Sequence, residues 1–171
     1  MRTPTMLLAA LAALAAAGAA QAHVVFTQPQ AAAGGHWAGA LRVSHGCDGS
    51  ATTAVRVEIP AGIVVARPQP KAGWTISVER QPLAEPVAAE GGGFLTERVS
   101  AITWTGRLSD DQFDEFGLAA KLPSAAGSLV FPVIQTCEQG EARWIETSVA
   151  GEPRPAHPAP VLILGAGAAH H

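Results

Sequence analysis

At 171 residues and a net charge of −3, with acids and bases interspersed along its length, the chain carries no basic stripe of the kind that grips nucleic acid or an anionic membrane. Its longest apolar run, from Met6 to Ala20, holds about 15 residues, too few for a helix to cross a hydrocarbon core of roughly 30 Å. The remainder suits one domain with one core and leaves little room for a second.

The first 22 residues have the layout of a secretory signal: Arg2 as the charged end, the Ala-rich apolar run, and Ala20-Gln21-Ala22 as an A-x-A cleavage site. Cleavage after Ala22 makes His23 the first residue of the exported chain and leaves a net charge one unit more negative. The expected organisation is a signal peptide over 1–22, one domain over 23–165 and a flexible tail over 166–171.

From His23 onward the chain reads as short β runs separated by Gly and Pro, with no long segment of 3.6-residue periodicity. Leu41 and Val43 alternate with Arg42 and Ser44, and Val55, Val57 and Ile59 alternate with Arg56 and Glu58, the pattern of strands with one buried and one wet face. Similar runs follow at Trp74–Glu79, Phe94–Thr105, Phe113–Ala120, Ser128–Cys137 and Arg143–Val149. Turns are expected at 60–62, 68–73, 90–93 and 123–127, where Pro and Gly cluster. The Pro-rich stretch after Val149 leads to a last apolar run, Val161–Leu164, readable as an edge strand or a loose tail. Seven to nine strands in a domain of this size predict an all-β, two-sheet Greek-key sandwich.

Cys47 and Cys137 are the two cysteines. In an exported chain an even pair predicts a disulfide, with two unpaired buried thiols as the alternative.

An N-terminal histidine offers its α-amino nitrogen and its imidazole Nδ1 to one ion, closing a six-membered chelate ring. Nitrogen ligands suit copper, which tops the divalent affinity order. Both methionines, Met1 and Met6, lie in the signal and both cysteines are expected to be oxidised, so a thiolate or thioether copper site is not supported. That leaves nitrogen and oxygen ligands and Cu(II). No G-x-S-x-G, H-E-x-x-H or Cys/His nucleophile arrangement occurs, and Asp110-Asp111 sits in a turn-like segment.

His23 followed by Val24-Val25-Phe26-Thr27-Gln28-Pro29, then Val55–Pro60, Gly73-Trp74, Gln112-Phe113-Asp114-Glu115-Phe116-Gly117, Phe131–Gln135 and Trp144 resemble, in order and spacing, the YcnI-like family of exported bacterial proteins. The similarity spans nearly the whole chain after the signal. It implies a cupredoxin-like sandwich that binds Cu(II) through an amino-terminal His chelate, a carboxylate and a nearby Trp, a monohistidine brace. Carried over residue by residue, the resemblance puts the chelate on His23, the carboxylate on Glu115 and the indole on Trp144. Alternation places Glu115 with Phe113 and opposite to Phe116 and Leu118; Asp114 is its rival.

The chain departs from the family's simplest form in its Ser44-His45-Gly46-Cys47 segment and in Cys137. A disulfide here would hold His45 near one end of the sandwich, as a second-shell partner, a ligand or a packing residue. His36 is read as a loop residue, and His157, His170 and His171 as weak metal binders in an unstructured tail. The expected function is a periplasmic or surface copper-binding protein, not an enzyme, serving copper uptake, delivery or buffering. Its expected partners are a membrane copper transporter, on the resemblance alone, or another periplasmic copper carrier. The alternatives are a copper-dependent polysaccharide monooxygenase, which would need a second His in the brace, and a metal-free structural or adhesive sandwich.

Overall fold

Alternating burial along the strands sets the architecture, and it is clearest where the sequence alternates most regularly. A computed structural model describes residues 23–166. The signal segment, its cleavage site, and His170 and His171 lie outside the described residues. Twelve strands form: β1 (Val25–Phe26), β2 (Gln30–Ala32), β3 (His36–Val43), β4 (Thr52–Glu58), β5 (Ala66–Pro68), β6 (Thr75–Ala88), β7 (Phe94–Leu108), β8 (Asp114–Lys121), β9 (Gly127–Val130), β10 (Val133–Cys137), β11 (Glu141–Trp144) and β12 (Val161–Gly165). The described residues contain no helix, so none is long and apolar enough to cross a membrane.

The protein is an all-β sandwich. One sheet has the order β1-β3-β8-β5 and the other β11-β10-β4-β7-β6, while β2-β12-β9 forms a small third sheet. The chain changes sheet between β3 and β4, β4 and β5, β5 and β6, and again between β7 and β8, as a sandwich core with two inner faces requires. Trp37, Leu41, Val43, Phe116 and Leu118 from the first sheet meet Val55, Val57, Ile102, Trp104 and Val133 from the second, all buried. Trp104 packs against Phe116 at 5.6 Å between ring centroids, and Phe26 makes edge contacts with both Trp37 and Phe131. Full burial of one such side chain contributes about 1.5–3 kcal/mol.

The strand count exceeds the seven to nine expected because β1, β2 and β5 span two or three residues each, too short to show alternation. The expected Ser128–Cys137 strand is two strands on different sheets. It breaks at Pro132, which has no N–H to donate, and at Phe131, whose N–H bonds to the Pro160 carbonyl. The Arg143–Val149 run is a strand only as far as Trp144. Val161–Leu164 is no tail: it is the middle strand of the third sheet, paired antiparallel with β9 and parallel with β2.

β6 runs well past Glu79 and passes through Pro82 and Pro86, which an outer strand tolerates because its free N–H groups face solvent. Its register with β7 shifts after Glu79 and again between Pro82 and Val87. Along β7 the core begins at Val99; Phe94 at the other end is 74% exposed. The turn of this ribbon uses Gly92 and Gly93 at positive φ. Its Glu90 carboxylate returns to the first sheet, pairing with Lys121 at 2.7 Å and His36 at 3.2 Å across the mouth of a cleft of about 650 Å³. His36 therefore opens β3 and does not belong to a loop.

Candidate metal centre

β1 and β3 run antiparallel with Val25 opposite Arg42, so His23, ahead of β1, and the segment that follows Val43 leave the same end of the first sheet. That segment is tightly built. Cys47 and Ser50 exchange backbone hydrogen bonds at 3.0 and 2.8 Å around Asp48 and Gly49, both at positive φ. Gly46 bonds through its N–H to the Asp110 carbonyl, and a Cβ on it would lie 2.0 Å from the Ser50 carbonyl oxygen, so no larger residue fits. Cys47 is bonded to Cys137, with Cα atoms 6.0 Å apart, and no cysteine is free.

The opposite wall comes from β10 and β11. Val133, Gln135 and Cys137 point inward on β10, and Gln135 is a buried amide, 2% exposed. Its Nε2 donates to the His45 carbonyl at 2.7 Å and to Thr52 Oγ1 at 2.8 Å, and its Oε1 accepts from Trp144 Nε1 at 3.1 Å. A carbonyl can only accept and an indole N–H can only donate, so the partners fix the amide's orientation. The Trp144 indole, buried and satisfied, then meets the His23 imidazole at 5.7 Å between ring centroids and the His157 imidazole at 5.2 Å.

His157 does not belong to an unstructured tail. Its N–H donates to Glu146 Oε2 at 2.7 Å, its carbonyl accepts from the Glu146 N–H at 3.1 Å, and the Ala159 N–H returns to the Glu146 carbonyl. Pro155, Pro158 and Pro160 stiffen the same stretch.

His45 Nδ1 is hydrogen-bonded to the Gly46 carbonyl. Since the carbonyl can only accept, Nδ1 carries the proton, and in the neutral ring Nε2 keeps its lone pair.

Glu115 is half-buried and faces outward with Phe113, opposite to Phe116 and Leu118. Its strand is an inner one, not a sheet margin, and its Oε1 accepts from Arg42 Nε at 3.0 Å and Nη2 at 2.8 Å. Such an exposed pair is worth only about 0.2–1 kcal/mol, so Arg42 alone would not keep the carboxylate from a metal. Distance is the larger obstacle: Glu115 lies opposite Arg42 and Arg42 opposite Val25, which puts Glu115 two strands, about 10 Å, from β1. Asp114 is held by Lys71 at 2.6 Å and accepts from the Glu115 N–H. The structure thus brings His23 to Trp144 and, through Gln135, links Trp144 to His45, while Glu115 stands apart with Arg42.

Among the described residues, no group of three or more His, Cys, Asp or Glu side chains is placed to hold a metal ion. A site at His23 would accordingly draw on a donor that is not a side chain, and a freed α-amino nitrogen is one. With the His23 imidazole, such an amine would make a nitrogen donor pair that suits Cu(II). Gln135 is the residue that sequence reading passed over. Its signal was a polar side chain at an inward position, between Val133 and Cys137 in a period-two strand.

A solved structure described as an uncharacterized protein from Nocardia farcinica with an immunoglobulin-like fold is 32% identical to this chain. The match has a TM-score of 0.64 and covers 83% of this chain and 97% of that one. Its fold agrees with the two-sheet sandwich described above. No curated protein matches. The DUF1775 family model, described as a domain of unknown function, matches residues 23–164, and the chain belongs to that family.

Proposed function

We propose that the protein is an exported copper-binding protein that holds Cu(II) at His23, through the α-amino nitrogen and imidazole of a processed amino terminus. The observation that carries this reading is the packing of His23 on the buried Trp144 indole at the end of the sandwich. Two residues far apart in sequence, singled out by the resemblance to YcnI-like proteins, are neighbours here. YcnI-like proteins fall within DUF1775, which supports carrying their copper chemistry to this chain. The disulfide is compatible with an oxidising compartment such as the periplasm. Bound copper would be cargo for uptake, delivery or buffering, exchanged with a membrane copper transporter or another periplasmic carrier.

The test compares a chain that starts at His23 with one that keeps a single residue ahead of it, both without His170 and His171. The first should bind one Cu(II) tightly and quench Trp144 fluorescence; the second should bind much more weakly. Equal affinities would refute the chelate. One observation favours a second reading, a copper monooxygenase: His45 supplies another imidazole at the same end of the sandwich. Oxidised sugar products formed from a polysaccharide by the copper-loaded protein would establish it.

A further inference from the structure

We infer that His45, through its Nε2, is the second side-chain ligand of the His23 copper site and takes the place that the family resemblance gives to the Glu115 carboxylate. The inference rests on the copper reading above and names a donor that reading leaves open.

Three observations meet on His45. The first is its ring. Metal-binding histidines commonly donate their other ring N–H to a carbonyl or carboxylate, which fixes the tautomer and aims the free nitrogen. The His45 Nδ1 contact with the Gly46 carbonyl has that form and leaves Nε2 as the available lone pair. The second is its backbone. The His45 carbonyl is held by Gln135 Nε2, and the same amide holds the Trp144 indole that packs on His23. One buried side chain therefore holds both the His45 backbone and the indole that packs on His23.

The third is covalent. His45 and Cys47 face Gln135 and Cys137, two residues apart on each side, joined at one step by the hydrogen bond and at the next by the disulfide. With Gly46 too confined to accept a side chain, the segment carrying His45 has little freedom to move away. Glu115, by contrast, is displaced two strands across the sheet and is engaged by Arg42.

The experiment uses the exported chain beginning at His23 and three variants, His45→Ala, His45→Asp and Glu115→Gln. The readouts are Cu(II) affinity, the nitrogen superhyperfine pattern of the Cu(II) electron paramagnetic resonance spectrum, and the melting temperature of the metal-free protein. Because changes to outer-shell partners of a metal already cost about 10–100-fold in affinity, loss of a direct ligand should cost at least about tenfold. His45→Ala should show that loss and one nitrogen fewer. His45→Asp should recover affinity toward the parent while still lacking that nitrogen, an outcome a purely structural role would not produce. Glu115→Gln should leave affinity and spectrum as in the parent.

A parent that binds copper through His23 while His45→Ala keeps its affinity and spectrum overturns the assignment to His45 alone. A changed spectrum in Glu115→Gln with an unchanged one in His45→Ala returns the site to the carboxylate. A parent without His23-dependent copper binding overturns the copper reading and this inference together. A metal-free His45→Ala that melts well below the parent shifts the decision to His45→Asp, where a full nitrogen count refutes the ligand role.

Discussion

Replacing Gln135 with methionine would test whether one buried amide organises this end of the sandwich. Methionine has similar bulk but none of the amide's donors and acceptors, so the substitution deletes the bonds to His45, Thr52 and Trp144 together. Each such bond contributes roughly 1 kcal/mol net, and a buried donor left without a partner costs about 1–3 kcal/mol. Trp144 Nε1 would be such a donor, since Trp144 is 5% exposed. The bonds to His45 and Thr52 and the orphaned indole together make a loss of about 3–5 kcal/mol, a large part of the 5–15 kcal/mol available to a domain. At about 2–4 °C per kcal/mol for a chain of this size, the melting temperature should fall by roughly 6–20 °C. The assay is paired thermal and urea unfolding of the metal-free parent and variant, followed by copper titration, where affinity should fall about 10–100-fold. A variant within about 1 kcal/mol of the parent, with unaltered copper affinity, would refute the reasoning, because an amide that size in a buried position cannot be both hydrogen-bonded as described and dispensable.

The disulfide closes a segment with a sequence separation of 90 residues, worth at most about 4.6 kcal/mol in the chain-entropy account. Reduction should lower the melting temperature, and a thiol assay on the freshly exported protein should find no free cysteine; two titratable thiols would contradict this. At the ribbon's turn, the hydrogen bond from Lys121, reinforced by the charges of Lys121 and His36, holds the Glu90 carboxyl below its ordinary value. A depressed carboxylate stabilises the docked turn above the ordinary value, and that support disappears as pH falls through the lowered one. NMR order parameters for Ala89–Gly93 should therefore drop in that acidic window and show no such step in Glu90→Gln. Identical profiles for the two proteins would rule out the ion pair as the fastening.

Strands such as β3 and β4 could be read from sequence because one face is buried and the other wet, and burial then imposes the period of two that the residues display. The part of β6 beyond Glu79 could not, because both its faces are largely exposed and its two prolines argue against a strand until its outer position is known. The division of Ser128–Cys137 was hidden by a continuous apolar run, which marks burial but not which sheet provides it. Within the site, His23 was marked by its place after the cleavage motif, and Trp144 by resemblance. Glu115's outward direction followed from alternation, but its engagement with Arg42 did not. That pairing depends on the register between β3 and β8, residues 73 apart in sequence, and register of such distant strands is decided by the whole sandwich. Gln135 went unread: alternation alone would have turned it inward, but its three partners lie on three other segments.

The ribbon formed by the far halves of β6 and β7 gives the molecule a part whose length is independent of its interior. No residue between Arg80 and Arg98 belongs to the buried core, and the Phe94 end of β7 lies roughly 17 Å along the strand from Val99. Insertions or a spectroscopic label at Gly91–Gly93 would thus be carried outside the packed sandwich, remote from Trp144 and Gln135. Evolution and engineering can both use that freedom: the tip can acquire new contacts or a reporter while the proposed copper end keeps its geometry.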